Sequence, residues 1–257
     1  MVCGRPVRRR KPVNEITLFA SVEGAPPKAR AVPDYLTAHY WWAYVHPNAV
    51  KVFERQWLVN LILWGNYRRL RDAALEDLGE SLPGRTLQVA CVYGDLTCRL
   101  SDRVSQTAGA LDVVDVLPVQ LANLQRKLSP AAPVRLMAMD SARLDLPDAQ
   151  YDHALVFFLL HEQPLHVRRR TLSELLRVVK PGGKIVIVDY ARPRWWQPLR
   201  YLWRPLLARL EPFALDLWQH EIADWLPAGR ERGPRSRRSF FGGLYQTIVL
   251  RAPDVSS

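Results

Sequence analysis

The chain has 257 residues, 48% of them hydrophobic and 24% charged, so it can bury a continuous core and has the composition of a globular protein. Lysine and arginine outnumber aspartate and glutamate by 36 to 25, and the net charge of +11 favours anionic partners, either nucleic acid or an anionic membrane surface. No segment has the ~18 uninterrupted apolar residues of a membrane span, and the three cysteines form no Cys-x-x-Cys pair, which argues against a zinc site.

The N-terminal segment, residues 1–33, is rich in basic residues and proline and shows little hydrophobic periodicity. This composition predicts a mobile basic tail. Because no apolar run follows its arginines, we do not expect a secretory signal. Residues 34–257 are then expected to form a single domain.

Apolar and aromatic residues recur at three- and four-residue spacing from Val50 through Trp57 and Trp64 to Leu78. This spacing predicts helices with one apolar face. Two interpretations remain open. The helices can pack on a sheet, or their tryptophan and arginine residues can form a lid or contact a lipid surface. One helix can do both.

From Thr86 onward, apolar β-branched runs alternate with helical patterns, which predicts an α/β fold with a doubly wound, Rossmann-like parallel sheet. Residues 191–233 are rich in tryptophan and predict a helical insertion before a closing antiparallel hairpin. The predicted strands are 86–92, 111–116, 134–139, 153–160 and 184–190, the hairpin is 235–251, and the intervening helices are 95–106, 118–128 and 165–179.

In such a sheet, ligands bind at the carboxyl ends of the strands, where the amides of a following helix can face them. Asp115 ends the second strand 21 residues after Gly94. This is close to the ~20-residue offset at which an acid reaches a ribose diol. Asp140 and Ser141 follow the third strand, where they can accept from an adenine amine, and Phe158 can wall the base. No Gly-x-Gly-x-x-Gly motif is present, which disfavours a dinucleotide and leaves S-adenosylmethionine as the expected cofactor.

Two segments resemble class I S-adenosylmethionine-dependent methyltransferases, over about residues 80–251. They are the turn Lys180-Pro181-Gly182-Gly183 with its following strand, and Val89-Ala90-Cys91 with Gly94–Thr97, which resembles the quinone C-methyltransferase branch. Two departures stand out: Gln88 replaces the usual acid near the end of strand one, and Val92-Tyr93-Gly94 replaces the usual Gly-x-Gly.

These departures, together with residues 157–164, 40–44 and 64–67, resemble a narrower family, the RquA proteins of rhodoquinone biosynthesis. The resemblance implies conversion of ubiquinone to rhodoquinone, in which an amino group replaces a ring methoxy group. It also implies that S-adenosylmethionine donates the amino group and that Mn²⁺ assists. The protein is then expected to be cytoplasmic and bound peripherally to the inner face of the respiratory membrane, through the helices at 50–71 and 194–209.

The resulting site prediction combines the strand ends with this resemblance. His161 and Glu162, which follow the fourth strand, are predicted catalytic residues and candidate metal ligands, because imidazole and carboxylate suit proton transfer or manganese. Tyr93 is the third predicted catalytic residue. The predicted cofactor-binding residues are Gln88, Ala90, Cys91, Val92, Gly94, Asp115, Val116, Asp140, Ser141 and Phe158.

The hypothesis for nitrogen transfer is based on Gln88, together with Val92 and Tyr93. An acid near strand one helps to hold the cofactor's α-amino group as an ammonium ion, which cannot attack a ring. Gln88 is uncharged, so the pKa of the amine should fall. Val92 and Tyr93 add bulk that should displace the methionine end of the cofactor.

Three alternatives remain. The first is a conventional C- or O-methyltransferase acting on a quinone or another lipid-soluble aromatic compound. The second is a nucleic-acid methyltransferase, which the basic charge allows, although the aromatic residues cluster among aliphatic ones and not in the basic runs. The third is an inactive interaction module, against which Asp115 and Asp140 argue.

Overall fold

A computed structural model of the chain describes residues 33–39, 55–227 and 236–253. The predicted basic tail lies outside the described residues except for Pro33, and so does the aromatic segment 40–44. Among the helices of the described ranges, none is long and apolar enough to cross a membrane.

One seven-stranded mixed sheet forms the centre of the fold, with the strand order β3-β2-β1-β4-β5-β7-β6. The first five strands are parallel, and β7 pairs antiparallel with both β5 and β6. The predicted Rossmann-like sheet and closing hairpin are therefore confirmed. The strands are β1 (Arg85–Val89), β2 (Ala110–Asp115), β3 (Val134–Ala138), β4 (Tyr151–Phe157), β5 (Val179–Tyr190), β6 (Ser236–Phe240) and β7 (Tyr245–Arg251).

The strand order reverses between β1 and β4, because the chain first builds outward through β2 and β3 and then returns to the other side of β1. The carboxyl ends of β1 to β5 lie along the same edge of the sheet. A crevice at this reversal is where such folds bind ligands.

Within the described ranges, helices flank the sheet, and three short 3₁₀ turns, at Leu160–Glu162, Ile222–Trp225 and Phe241–Gly243, interrupt the connections. The helices are α1 (Asp34–His39), α2 (Gln56–Ile62), α3 (Tyr67–Leu78), α4 (Leu96–Ser105), α5 (Pro118–Gln125), α6 (Leu165–Val178), α7 (Leu199–Leu210) and α8 (Asp216–Gln219).

The predicted apolar stripe divides into two helices with different surroundings. Trp64 and Gly65 have positive φ angles, 52° and 78°, which end α2 before α3 begins. The apolar face of α3 is buried and packs mainly on β5. In contrast, Trp57 and Leu61 of α2 are 61% and 63% exposed. The first interpretation, packing on the sheet, therefore applies to α3, whereas α2 exposes Trp57 and Leu61 to solvent.

The segment Lys180–Gly183 differs from the predicted turn. The strand β5 already begins at Val179, directly after α6, and pairing with β4 skips from Tyr151–Val179 to His153–Lys184. Gly182 adopts a φ of 72° within this irregularity. The glycines therefore form a bulge inside a long strand, and the regular ladder starts at Lys184 as predicted.

Candidate active site

A cavity of about 890 Å³ opens at the carboxyl ends of the parallel strands, between the sheet edge and the helices α2 and α7. It brings together eleven of the thirteen predicted site residues. They are Ala90, Cys91, Val92, Tyr93, Asp115, Val116, Asp140, Ser141, Phe158, His161 and Glu162. Gln88 and Gly94 do not line it.

Asp115 stands at the end of β2 with both carboxylate oxygens held by the backbone. Oδ2 accepts a hydrogen bond from the Cys91 amide at 2.7 Å, and Oδ1 accepts one from the Leu117 amide at 2.8 Å. Burial raises the pKa of Asp115 to about 6, although these amides oppose the shift. The Cys91 side chain and the Val116 amide also help to hold the carboxylate charge, and Asp115 lines the cavity, where its oxygens can face a ligand hydroxyl.

Asp140 and Ser141 follow β3 at the same end of the cavity. Asp140 Oδ1 accepts from the Ala142 amide at 2.9 Å, and Ser141 Oγ accepts from Gln163 Nε2 at 2.9 Å. Tyr35 of α1 also lines this part of the cavity. Burial raises the pKa of Tyr35, and nearby Glu162 and Asp140 contribute to the rise. A polar compartment over β2 and β3 thus has the acceptors that a nucleoside requires.

Gly94 has a structural role that the strand-end pattern did not predict. Its φ is 87°, and a Cβ atom there would lie 2.5 Å from the hydroxyl oxygen of Tyr67. That hydroxyl accepts hydrogen bonds from the amides of Asp95 and Leu96, at 2.9 and 3.0 Å. Contrary to expectation, these two amides at the start of α4 therefore point to Tyr67 and not to a ligand.

Gln88 lies behind the cavity wall and is fully buried. Its Nε2 donates to the carbonyl oxygen of Ala90 at 3.0 Å and to Thr97 Oγ1 at 2.9 Å. Ala90 itself has a φ of 72°, a left-handed conformation that costs an alanine strain. Gln88 therefore stabilises the turn after β1, and direct contact with a cofactor amine does not follow from its position.

Two other predicted residues have contacts that refine their expected roles. Tyr93 accepts a hydrogen bond from Gln120 Nε2 of α5 at 2.7 Å. The ring of Phe158 packs edge-to-face on His161 and Tyr190, with centroid distances of 5.8 and 5.5 Å. Phe158 thus packs among aromatic residues over β4 and β5, and its role as a wall for the base stays a prediction.

His161 is the centre of a charged cluster over β4 and β5. Its Nδ1 is 2.9 Å from Asp189 Oδ1, and its Nε2 is 3.1 Å from Glu211 Oε2 and 3.8 Å from Glu162 Oε1. Asp189 is fully buried and also accepts from the amides of Leu160 and Tyr190, each at 2.8 Å. The imidazole orientation is therefore fixed from the Nδ1 side.

The carboxylates determine the charge of His161. Burial alone would lower its pKa, but Asp189, Glu211 and Glu162 outweigh burial and raise the pKa to about 9. The pKa of Glu211 is also raised, because its burial exceeds the opposing effect of His161. The carboxylates therefore favour the protonated, cationic form of His161.

This arrangement does not fit the manganese site that was expected at His161 and Glu162. Within the described ranges, no group of three or more histidine, cysteine, aspartate or glutamate residues is placed to hold a metal ion. His161 shares a hydrogen bond with Asp189 through Nδ1 and lies within ion-pair distance of Glu211 and Glu162 through Nε2.

Glu211 lines the cavity and Tyr67 supports the turn after β1 beside it, and neither was among the predicted site residues. Glu211 directly follows α7 in the helical insertion, 50 residues after His161. Tyr67 begins α3, 27 residues before Gly94. Both reach the site only through tertiary packing. A buried stripe on α3 could have indicated that Tyr67 faces the sheet, but nothing in the sequence places its hydroxyl.

Comparisons with known proteins agree with this architecture. Residues 86–183 match a family model described as a methyltransferase domain. The demethylmenaquinone methyltransferase of Bacillus licheniformis is 24% identical over 196 residues, covering 73% of this chain and 83% of the relative.

Solved structures show the same fold. The N-methyltransferase NodS from Bradyrhizobium japonicum WM9, solved with S-adenosyl-L-homocysteine, superposes with a TM-score of 0.52 at 15% identity, covering 73% of this chain and 87% of NodS. Phosphoethanolamine N-methyltransferase 2 of Haemonchus contortus, solved with S-adenosyl-L-methionine, gives 0.62 at 12% identity, covering 87% of this chain and 60% of the other.

Proposed function

We propose that this chain, which has the fold and the domain of a class I S-adenosylmethionine-dependent methyltransferase, transfers a group from S-adenosylmethionine to a lipid-soluble quinone ring. One observation carries the proposal. A single cavity joins a polar compartment over β2 and β3 to an apolar compartment under α2 and α7. The first suits a nucleoside and the second suits an aromatic ring with an apolar tail.

The polar compartment fits the cofactor that the fold implies. Asp115 can accept from the ribose hydroxyls, and Asp140 can accept from the adenine amine. The turn Ala90–Tyr93 follows β1, which lies between β2 and β3 on one side and β4 and β5 on the other. This turn lines the cavity and therefore faces the methionine end of a cofactor whose adenosine lies over β2 and β3. When bound, S-adenosylmethionine supplies an activated group to the acceptor.

Replacing Asp115 by alanine should weaken S-adenosylmethionine binding by about 10- to 150-fold, because the charged acceptor of two hydrogen bonds is lost. Affinity in the parent should also fall below pH of about 6, where Asp115 becomes protonated. Isothermal titration calorimetry measures both effects. Asp102→Ala, at an exposed position of α4, is the matched control. Unchanged affinity in a folded Asp115→Ala variant would eliminate the ribose role.

The apolar compartment suits the ring and tail of a quinone. Its walls come from α2, the connection to α3, and α7. They include Trp57, Leu61, Trp64, Trp203, Leu206, Leu207 and Leu210. The Bacillus licheniformis relative is a demethylmenaquinone methyltransferase, which supports a quinone-type acceptor here.

Two transferred groups are candidates. Methyl transfer to a ring carbon or oxygen is supported by the methyltransferase domain and by the relative's name. Amino transfer that converts ubiquinone to rhodoquinone is supported by the motif resemblance. No step in either reaction is assigned to manganese, since His161 is not arranged as a ligand.

A membrane surface is the proposed source of the acceptor. Exposed aromatic and aliphatic side chains surround the cavity-lining parts of α2 and α7. We call this set the aromatic rim: Trp57, Leu61, Trp64, Trp195, Trp196, Tyr201 and Leu202. Exposed arginines of the same region, Arg192, Arg194, Arg204 and Arg209, add positive charge. Aromatic side chains with nearby arginines suit an anionic bilayer interface.

The double variant Trp195→Ser/Trp196→Ser should therefore bind vesicles at least about 10-fold more weakly, because each buried aromatic side chain contributes about 1.5–3 kcal/mol. Co-sedimentation with vesicles containing phosphatidylglycerol measures this loss. Binding of the parent should fall as salt rises, since charge attraction is screened over ~10 Å at 0.1 M. Equal binding of the parent to anionic and neutral vesicles would contradict the role of charge.

A further inference from the structure

Arg168 of α6 is a fully buried arginine whose guanidinium group contacts two separate segments of the chain. Its Nε donates to the carbonyl oxygen of Leu160 at 2.9 Å, and its Nη2 donates to the carbonyl oxygen of Gln163 at 2.9 Å. These carbonyls lie at the two ends of the 3₁₀ turn that carries His161 and Glu162. The guanidinium group therefore holds both ends of the loop that follows β4.

The same guanidinium group also binds the segment that follows α7. Nη2 donates to the carbonyl oxygen of Phe213 at 3.0 Å, and Nη1 donates to Asp216 Oδ2 at 3.3 Å. Its central carbon lies 4.2 Å from the ring centroid of Trp225. Glu211 belongs to this segment, because its carbonyl oxygen accepts from the Ala214 amide at 3.0 Å and closes a turn around Phe213. One side chain thus joins the loop after β4 to the helical insertion.

His161 and Glu211 lie on the two segments that this arginine joins. His161 Nε2 is 3.1 Å from Glu211 Oε2, and both side chains line the cavity. Asp189 fixes the imidazole to β5 through Nδ1. The position of Glu211 relative to the imidazole depends on how the insertion is attached to the loop. A planar guanidinium fork can serve several carbonyl oxygens at fixed angles, which the single ammonium group of a lysine cannot.

We infer that Arg168 is a positioning residue, which holds the insertion against the loop after β4 so that His161 and Glu211 act on the acceptor together. The inference rests on the proposed function, because its effect is on group transfer. Arg168 does not line the cavity and therefore acts through these two residues. A displacement of about 1 Å at a reacting group can cost about 10²-fold in rate.

The first test is a double-mutant cycle on kcat, with ubiquinone-1 or demethylmenaquinone-1 as acceptor, whichever the parent converts. Arg168→Lys should lower kcat by about 10- to 100-fold and leave the dissociation constant of S-adenosylmethionine within about threefold of the parent value. In the His161→Gln background, Arg168→Lys should lower kcat by less than about twofold, because residues that act through one group are not additive. A merely structural role would lower kcat by the same factor in both backgrounds.

The second test needs no turnover. Hydrogen exchange measured by mass spectrometry compares the parent with Arg168→Lys in the absence of substrates. Residues 160–163 and 211–216 should both exchange at least about threefold faster in the variant, because the two segments lose their common attachment. Peptides of β1 and β2 should keep the parent's rates.

Arg169→Lys is the matched control, since Arg169 is the exposed neighbour on the same helix, and it should keep the parent's kcat and exchange rates. Thermal unfolding verifies that each variant is folded. If Arg168→Lys does not fold, Asp216→Asn replaces it, because the Asp216 side chain is 41% exposed. This milder change should lower kcat by about two- to fivefold, again only when His161 is present.

Parent-like kcat in a folded Arg168→Lys variant overturns the inference. An equal loss of kcat in both backgrounds, or parent-like exchange of residues 211–216, overturns it as well. If the parent converts neither acceptor, the proposed function is wrong. That failure is distinguishable, because it appears in the parent, whereas the exchange measurement tests the attachment by Arg168 without any acceptor.

Discussion

His161→Gln should lower kcat by about 10²- to 10⁴-fold, the usual contribution of a positioned acid or base, and leave the affinity for S-adenosylmethionine nearly unchanged. The reason is the charge of the imidazole. Asp189 and Glu211 keep His161 protonated at neutral pH, so it can stabilise negative charge that develops on a ring oxygen. Glutamine retains a hydrogen-bond donor but not the positive charge.

Steady-state turnover of a short-chain quinone acceptor and calorimetry with the cofactor measure the two halves of this prediction. His153→Gln is the matched control, because His153 lies near the start of β4, away from the ligand edge, and does not line the cavity. The His161 variant should also unfold at a lower temperature, since the buried Asp189 loses its charged partner. Parent-like turnover in His161→Gln would remove His161 from the reaction.

Gly94→Ala should reduce the free energy of unfolding by about 2–4 kcal/mol. A positive φ costs a non-glycine residue about 1 kcal/mol, and overpacking adds about 1–3 kcal/mol. The added Cβ would lie 2.5 Å from the Tyr67 hydroxyl oxygen and 2.7 Å from the ring carbon that bears it. Tyr67 cannot retreat without abandoning the Asp95 and Leu96 amides that it caps.

Gly65→Ala separates the two contributions. Gly65 has a φ of 78°, close to the 87° of Gly94, but a Cβ there would meet no atom within 4 Å. Urea unfolding should therefore show a loss of about 1 kcal/mol for Gly65→Ala and a distinctly larger loss for Gly94→Ala. Equal losses of unfolding free energy in the two variants would mean that a clash with Tyr67 adds nothing to the cost of Gly94→Ala.

The sheet was predictable because its signals are local. Each parallel strand is a short apolar run bounded by turn residues, and the right-handed crossover rule fixes how consecutive strands connect. Asp115, Asp140 and His161 followed from the same logic, since the carboxyl ends of parallel strands share one edge. All three residues line one cavity, and this could be predicted without knowing how the side chains pack.

The remaining features depend on contacts between distant segments. Gln88 was expected to face the cofactor. Its amide nitrogen instead donates to the carbonyl oxygen of Ala90 and to Thr97 Oγ1. Glu211 enters the site on a helical insertion with no repeating pattern. The pKa of His161 is raised first by Asp189 and then by that glutamate, and the contact with Glu211 cannot be read from the sequence.

One measurement tests the central claim most directly, that a group passes from S-adenosylmethionine to a quinone. The purified protein is incubated with ubiquinone or its reduced form and with S-adenosylmethionine labelled with ¹³C in the methyl group and ¹⁵N in the α-amino group, and the quinone fraction is analysed by mass spectrometry. Demethylmenaquinol-type acceptors are treated in parallel. The account predicts label in the quinone product: ¹³C for methyl transfer, or ¹⁵N for amino transfer. A quinone fraction that contains neither label, from protein shown by calorimetry to bind the cofactor, would contradict the account.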